Sequence, residues 1–97
     1  MKMRLHPEPY GRIKSGEKNI ECRLHDDKRR QLAVGDVIVF ENREGGETLE
    51  RTVVALNLFT DFESMFQKYP EERITDVYQY YTPEKERQYG VVAIELK

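Results

Sequence analysis

The sequence has a single cysteine, no tryptophan and no surplus of positive charge. Each shortage removes a class of function. Cys22 alone cannot close an internal disulfide, which fits a reducing compartment. Sixteen Lys and Arg against 18 Asp and Glu give a net charge of −2, without the basic excess of a domain that grips a duplex through many phosphates. No duplex DNA partner is therefore expected. No apolar run approaches the ~20 residues of a membrane span. Met1 to Leu5 runs into His6-Pro7 without the apolar core of a signal peptide. The expectation is a cytoplasmic protein with no membrane partner. The chain also lacks a phosphate-cradling glycine loop, paired cysteines, a His-x-x-x-His spacing and a Gly-x-Ser-x-Gly elbow. Neither a metal nor a cofactor is expected.

Within 97 residues, 38% hydrophobic side chains and ten aromatics (six Tyr, four Phe) provide for one core. That length suits one domain over residues 1–97. A charged fraction of 35% and a mean hydropathy of −0.78 describe a well-solvated surface.

Met3 and Leu5 alternate with Lys2 and Arg4, the pattern of a half-buried strand. Pro7 and Pro9 open a helix, and Gly16 stops it in a left-handed conformation. A second strand is predicted from Lys18 to Leu24, with Asn19, Glu21 and Arg23 on one face and Ile20 and Cys22 on the core face. Asp26 is a plausible N-cap for a helical turn ending near Leu32. Val37 to Phe40 reads as a strand. Asn42 to Gly46 reads as a hairpin connection into a long strand from about Thr48 to Leu58. The apolar succession Val53-Val54-Ala55-Leu56 leaves its register open.

Thr60 with Glu63 forms a capping-box pattern ahead of Phe62, Met65, Phe66 and Tyr69, which recur at helical spacing until Pro70. Ile74, Val77, Tyr78 and Tyr81 repeat that spacing as a second helical stripe. Thr82-Pro83 closes it and opens a further turn, and Val91 to Leu96 is a terminal strand. Short connections favour antiparallel pairing. About five strands with three or four small helices predict an α+β domain built on a curled sheet or barrel.

Dense ionised side chains on one short strand point to a cleft or to solvent, so Lys18, Glu21 and Arg23 are candidate site residues. Tyr78, Tyr81, Glu86 and Tyr89 form a later polar and aromatic group. A lysine beside a carboxylate and shielded from water can carry a proton or pair with an anionic ligand. The plainer reading is a salt bridge of Glu21 with Arg23 or Lys18. Lys28-Arg29-Arg30, after Asp26-Asp27, reads as a solvated helix face or a phosphate-binding patch. His6 and His25 read as surface or cap residues, and Cys22 as a core residue rather than a nucleophile.

Three segments carry a family resemblance: Gly16-Glu17-Lys18-Asn19-Ile20-Glu21-Cys22-Arg23, Val34-Gly35-Asp36-Val37-Ile38-Val39-Phe40-Glu41-Asn42, and Tyr81 to Leu96 with Glu86 and Tyr89-Gly90-Val91-Val92-Ala93-Ile94. In order and spacing they resemble the ASCH domain of the PUA-like superfamily, here as a small freestanding domain. The resemblance implies a small β-barrel, with about five mostly antiparallel strands, surrounded by short helices. Beside the barrel it implies a cleft that meets RNA or modified nucleobases. By that likeness Lys18, Glu21 and Arg23 line the cleft, with Tyr81, Glu86 and Tyr89 on or near its other side. The partner implied is single-stranded RNA or a small nucleoside or nucleotide.

Some relatives are hydrolases, one of them an amidohydrolase of an acetylated cytidine that uses a lysine, a threonine and a glutamate; others are reported as ribonucleases. Here the lysine is Lys18, but Glu21 stands at the threonine position and cannot serve as an activated hydroxyl. The family's glutamate finds no ungapped match between Phe66 and Tyr78. Three readings follow. The first is a binding module for RNA or a nucleotide. The second is a hydrolase in which Lys18 and Glu21 exchange a proton and water attacks. The third is a protein-interaction domain using the tyrosines between Tyr78 and Tyr89.

Overall fold

Most of the Val, Ile and Thr residues fall in the β-strands, and the order of those strands in the sheet creates the site. The computed structural model describes residues 1–75 and 77–97. Along the chain run β1 (Lys2–Leu5), α1 (Pro7–Ser15), β2 (Ile20–Leu24), β3 (Val37–Asn42), β4 (Thr48–Phe59), α2 (Phe62–Lys68), α3 (Pro83–Tyr89) and β5 (Val91–Leu96). Short 3-10 turns lie at Arg29–Gln31, Pro70–Glu72 and Val77–Gln79. The sheet order is β1-β3-β4-β5-β2. The pairs β3–β4, β4–β5 and β2–β5 are antiparallel, while β1 lies parallel to β3. This is the expected α+β curled sheet, but as a half-barrel, because among the described residues no backbone ladder joins β1 to β2. The curl still brings those edges close enough for the Arg23 guanidinium to donate to the Arg4 carbonyl at 3.3 Å.

β5 is buried on both faces, as its nearly unbroken apolar sequence requires. Val92, Ile94 and Leu96 face the concave core with Met3, Tyr10, Ile13, Ile38, Phe40 and Val53. Val91 and Ala93 face a second core with Cys22, Leu24, Phe62, Met65, Phe66 and Tyr69. The predicted Phe62, Met65, Phe66, Tyr69 stripe therefore packs against the convex side of the sheet. Phe62 lies between Phe66 and Tyr81, with ring centroids 5.9 and 5.2 Å away.

Two local expectations need correction, the cap of α2 and the stripe after Pro70, and the open register of β4 is resolved. The N-cap of α2 is Asp61 rather than Thr60, since the Asp61 carboxylate accepts from the Ser64 amide at 2.7 Å. The register of β4 shifts between Val53 and Ala55, turning Val54 outward, so the consecutive apolar residues never shared one face. Ile74, Val77, Tyr78 and Tyr81 form no amphipathic helix among the described residues; only Val77 is buried, within a single 3-10 turn, and Ile74 and Tyr78 are exposed. Residue 76, inside that predicted stripe, lies outside the described residues.

Candidate ligand-binding cleft

The cleft opens where the half-barrel fails to close. α1 ends at Gly16, which takes a φ of 84° and donates its amide to Ile13. The next turn is pinned by the Lys18 amide on the Arg12 carbonyl at 2.9 Å. This delivers Lys18 just ahead of β2, whose alternation then carries Glu21 and Arg23. From the opposite wall Pro70 starts the 3-10 turn that ends at Glu72. Lys18 Nζ lies 2.6 Å from Glu72 Oε2 and 3.9 Å from Glu21 Oε1. Arg23 Nη2 lies 3.2 Å from Glu21 Oε2. Lys18, Glu21 and Glu72 are each less than one-tenth exposed. Two cations and two carboxylates thus form a charge-balanced chain, as burial of ionised groups demands.

Around this quartet lies a cleft of about 520 Å³. Its walls include Arg4, Arg12, Arg43, Arg73, Tyr80 and Tyr81. Lys18 and five arginines face four glutamates there, a local basic excess in a chain whose overall excess is acidic. Arg73 is held by both oxygens of Glu63 at 3.1 Å and Arg4 by Glu41 at 3.1 Å. Arg43 has no ion pair among the described residues. Tyr80 is well exposed at the wall, whereas Tyr81 is half-buried on Phe62.

Burial works most strongly against the Arg23 charge, but the Glu21 carboxylate together with Tyr81 and Asp26 outweighs it and the pKa is raised. Burial lifts the Tyr81 phenol against the opposing charge of Arg23. Burial also pushes the Cys22 thiol up to about 12, so it is no nucleophile although it touches the cleft. Among the described residues no cluster of His, Cys, Asp and Glu could hold a metal.

The structure brings Lys18, Glu21, Arg23 and Tyr81 to one cleft. Two expected neighbours lie elsewhere. Glu86, buried at the junction of α2 and α3, accepts from the Phe62 amide at 2.9 Å and from the Tyr78 hydroxyl at 3.1 Å. Tyr89 borders a separate hollow at the far end of α3. The tight partner of Lys18 is Glu72 rather than Glu21, and sequence reasoning missed it. Its only local signal is an acidic pair after Pro70, which reads equally well as the first turn of a surface helix.

Residues 3–97 match the ASCH domain. The chain belongs to the ASCH domain family. This ASCH chain is similar to hypothetical protein PH0355, whose crystal structure shares 37% identity at a TM-score of 0.79, with 100% of this chain and 98% of that one covered. It is also similar to protein PF0455 from Pyrococcus furiosus, known from a solution NMR structure, at 38% identity and a TM-score of 0.71 over 100% and 96% of the two chains. No curated protein matches this ASCH domain.

Proposed function

We propose that the cleft binds a nucleotide, as a free molecule or within single-stranded RNA, with the base directed at the buried quartet and phosphate toward the arginines. The observation that carries this reading is the pairing of a charge-balanced buried centre with a basic, tyrosine-bearing wall. Glu21 and Glu72 supply acceptors for an exocyclic amine, and Lys18 and Arg23 supply donors for base edges. Arg43, with no ion pair among the described residues, is available to a phosphate. Tyr80 offers a stacking surface, a contact that contributes ~1–3 kcal/mol per base. The net acidity of the chain favours a short or single-stranded ligand over a duplex. The test is fluorescence anisotropy with labelled single-stranded RNA, competed by nucleotides. Tyr80→Ala and Arg43→Ala, both at exposed positions, weaken binding under this reading. Unchanged affinity in both would refute it.

One distance favours a hydrolytic alternative. Lys18 Nζ at 2.6 Å from Glu72 Oε2 forms a buried pair able to pass a proton to a leaving amine. With Glu21 where a hydroxyl would stand, water is the nucleophile: its oxygen bonds to the acyl carbon, the C–N bond breaks, and the water proton ends on the amine. Mass spectrometry of acylated nucleosides incubated with the protein reads this directly. Product that disappears in Glu72→Gln supports hydrolysis, and absence of product from the whole panel leaves binding alone.

A further inference from the structure

A second hollow, of about 460 Å³, lies where β2, β4 and α3 end, lined by His25, Arg30, Leu58, Phe59, Thr60 and the segment Arg87 to Val91. Its charged side chains are of one sign: Arg30 and Arg87 lie beside His25, and among the described residues no carboxylate lines it. The arrangement is built rather than incidental. Arg30 Nη2 donates to the Tyr89 carbonyl at 3.1 Å, tying the turn after β2 to the end of α3. The His25 amide donates to the Gly90 carbonyl at 3.0 Å, extending the β2–β5 ladder by one step. Gly90 has a φ of 69°, and a Cβ there would lie 3.0 Å from the Phe59 carbonyl oxygen. The nearest acid in sequence, Asp26, is committed to the Arg29 amide and guanidinium. Glu84 touches Arg87 only at 4.0 Å between well-exposed side chains, a contact that hardly restrains either.

The position of the hollow relates it to the cleft. Glu21, Arg23 and His25 alternate along one strand and share a face, with ~7 Å between successive members. A strand of nucleic acid anchored at Glu21 and Arg23 and running along β2 reaches His25 and Arg30 within a nucleotide or two. We propose that the hollow formed by His25, Arg30, Arg87 and Gly90 is a second binding site that takes a backbone phosphate of the RNA strand whose base occupies the cleft. This rests on the nucleotide reading of the cleft and makes an oligonucleotide, rather than a free nucleoside, the preferred ligand. The guanidinium donors of Arg30 not used by Tyr89, together with Arg87, meet the phosphate oxygens. The exposed Leu58 lies beneath the adjoining sugar or base.

The test compares a single-stranded RNA octamer, a mononucleotide and inorganic phosphate on three proteins: wild type, the exposed-site variant Arg30→Ala/Arg87→Ala, and Tyr80→Ala in the cleft. The expected result is an octamer Kd about tenfold or more weaker in Arg30→Ala/Arg87→Ala. Its log–log salt slope falls by ~0.7, as for one lost phosphate contact on a single strand. Mononucleotide affinity stays unchanged. Equal octamer affinity and slope in the double variant and wild type would overturn the second site and leave the cleft reading intact. Loss of octamer affinity in the double variant, with none of either ligand's affinity lost in Tyr80→Ala, keeps an RNA contact in the hollow but overturns its link to a base held in the cleft. Inorganic phosphate that shifts the His25 and Gly90 amide resonances, without any effect of the double variant on the octamer, identifies a free-anion site and overturns the RNA path.

Discussion

Glu72 and Glu86 are both buried, yet they are held in opposite ways. Glu72 faces a lysine ammonium across a cleft, while Glu86 is gripped by a backbone amide and a tyrosine hydroxyl at a helix junction. Dipoles that belong to the scaffold satisfy a carboxylate by fixing two elements together. A side-chain cation at a cleft wall satisfies it as well, and that pair borders open space instead of a helix junction. Burial alone therefore does not mark a functional carboxylate. Its partner, a scaffold dipole or a cleft-lining cation, separates the two cases.

Removing Lys18 breaks this comparison most severely. Lys18→Met leaves Glu72 without its cation and Glu21 with Arg23 alone, and loss of one partner of a buried ion pair costs ~3–5 kcal/mol. Chemical denaturation measures this, and Lys18→Met/Glu72→Leu recovers much of the loss because the two changes are coupled. Purely additive losses would show that the pair is not the unit described here.

Glu86→Ala comes next, at ~2–3 kcal/mol, since it strips a charged acceptor from the buried Phe62 amide. It leaves nucleotide affinity intact, in contrast to cleft variants; a loss of affinity equal to that of Tyr80→Ala would put Glu86 back in the site. Asp61→Ala removes the cap of α2 at ~1 kcal/mol. The Ser64 amide holds the Asp61 carboxyl below its ordinary pKa. That stabilisation is present above the unfolded value near ~4 and is lost as pH falls through the lower folded one. Wild type and variant thus converge in stability at low pH. The smallest effect concerns Cys22, whose elevated thiol pKa predicts negligible alkylation of the native protein at pH 8 and rapid alkylation once denaturant exposes it.

Elements defined by local periodicity were legible without the structure. The β1 alternation, the Pro7 start and Gly16 stop of α1, the Phe62 to Tyr69 stripe and the apolar β5 each follow from side-chain spacing and backbone preference over fewer than ten residues. The segment after Pro70 was not, because Ile74, Val77, Tyr78 and Tyr81 mimic a helical stripe while only Val77 is buried among them. Lys18, Glu21 and Arg23 could be grouped from sequence since one turn and one strand present all three.

Local neighbours thus fixed the five strands, the helices α1 and α2 and one wall of the cleft, because those depend on residues a few positions apart. The tertiary structure decided the rest. It set Glu72 against Lys18 across 54 positions of chain. It sent Glu86 to cap α2, Tyr89 to a separate basic hollow, and left the barrel open between β1 and β2. The physical reason is that a charge finds its partner by distance in space. Which distant segments meet is set by how the curled sheet brings its two edges together and how the helices pack upon it.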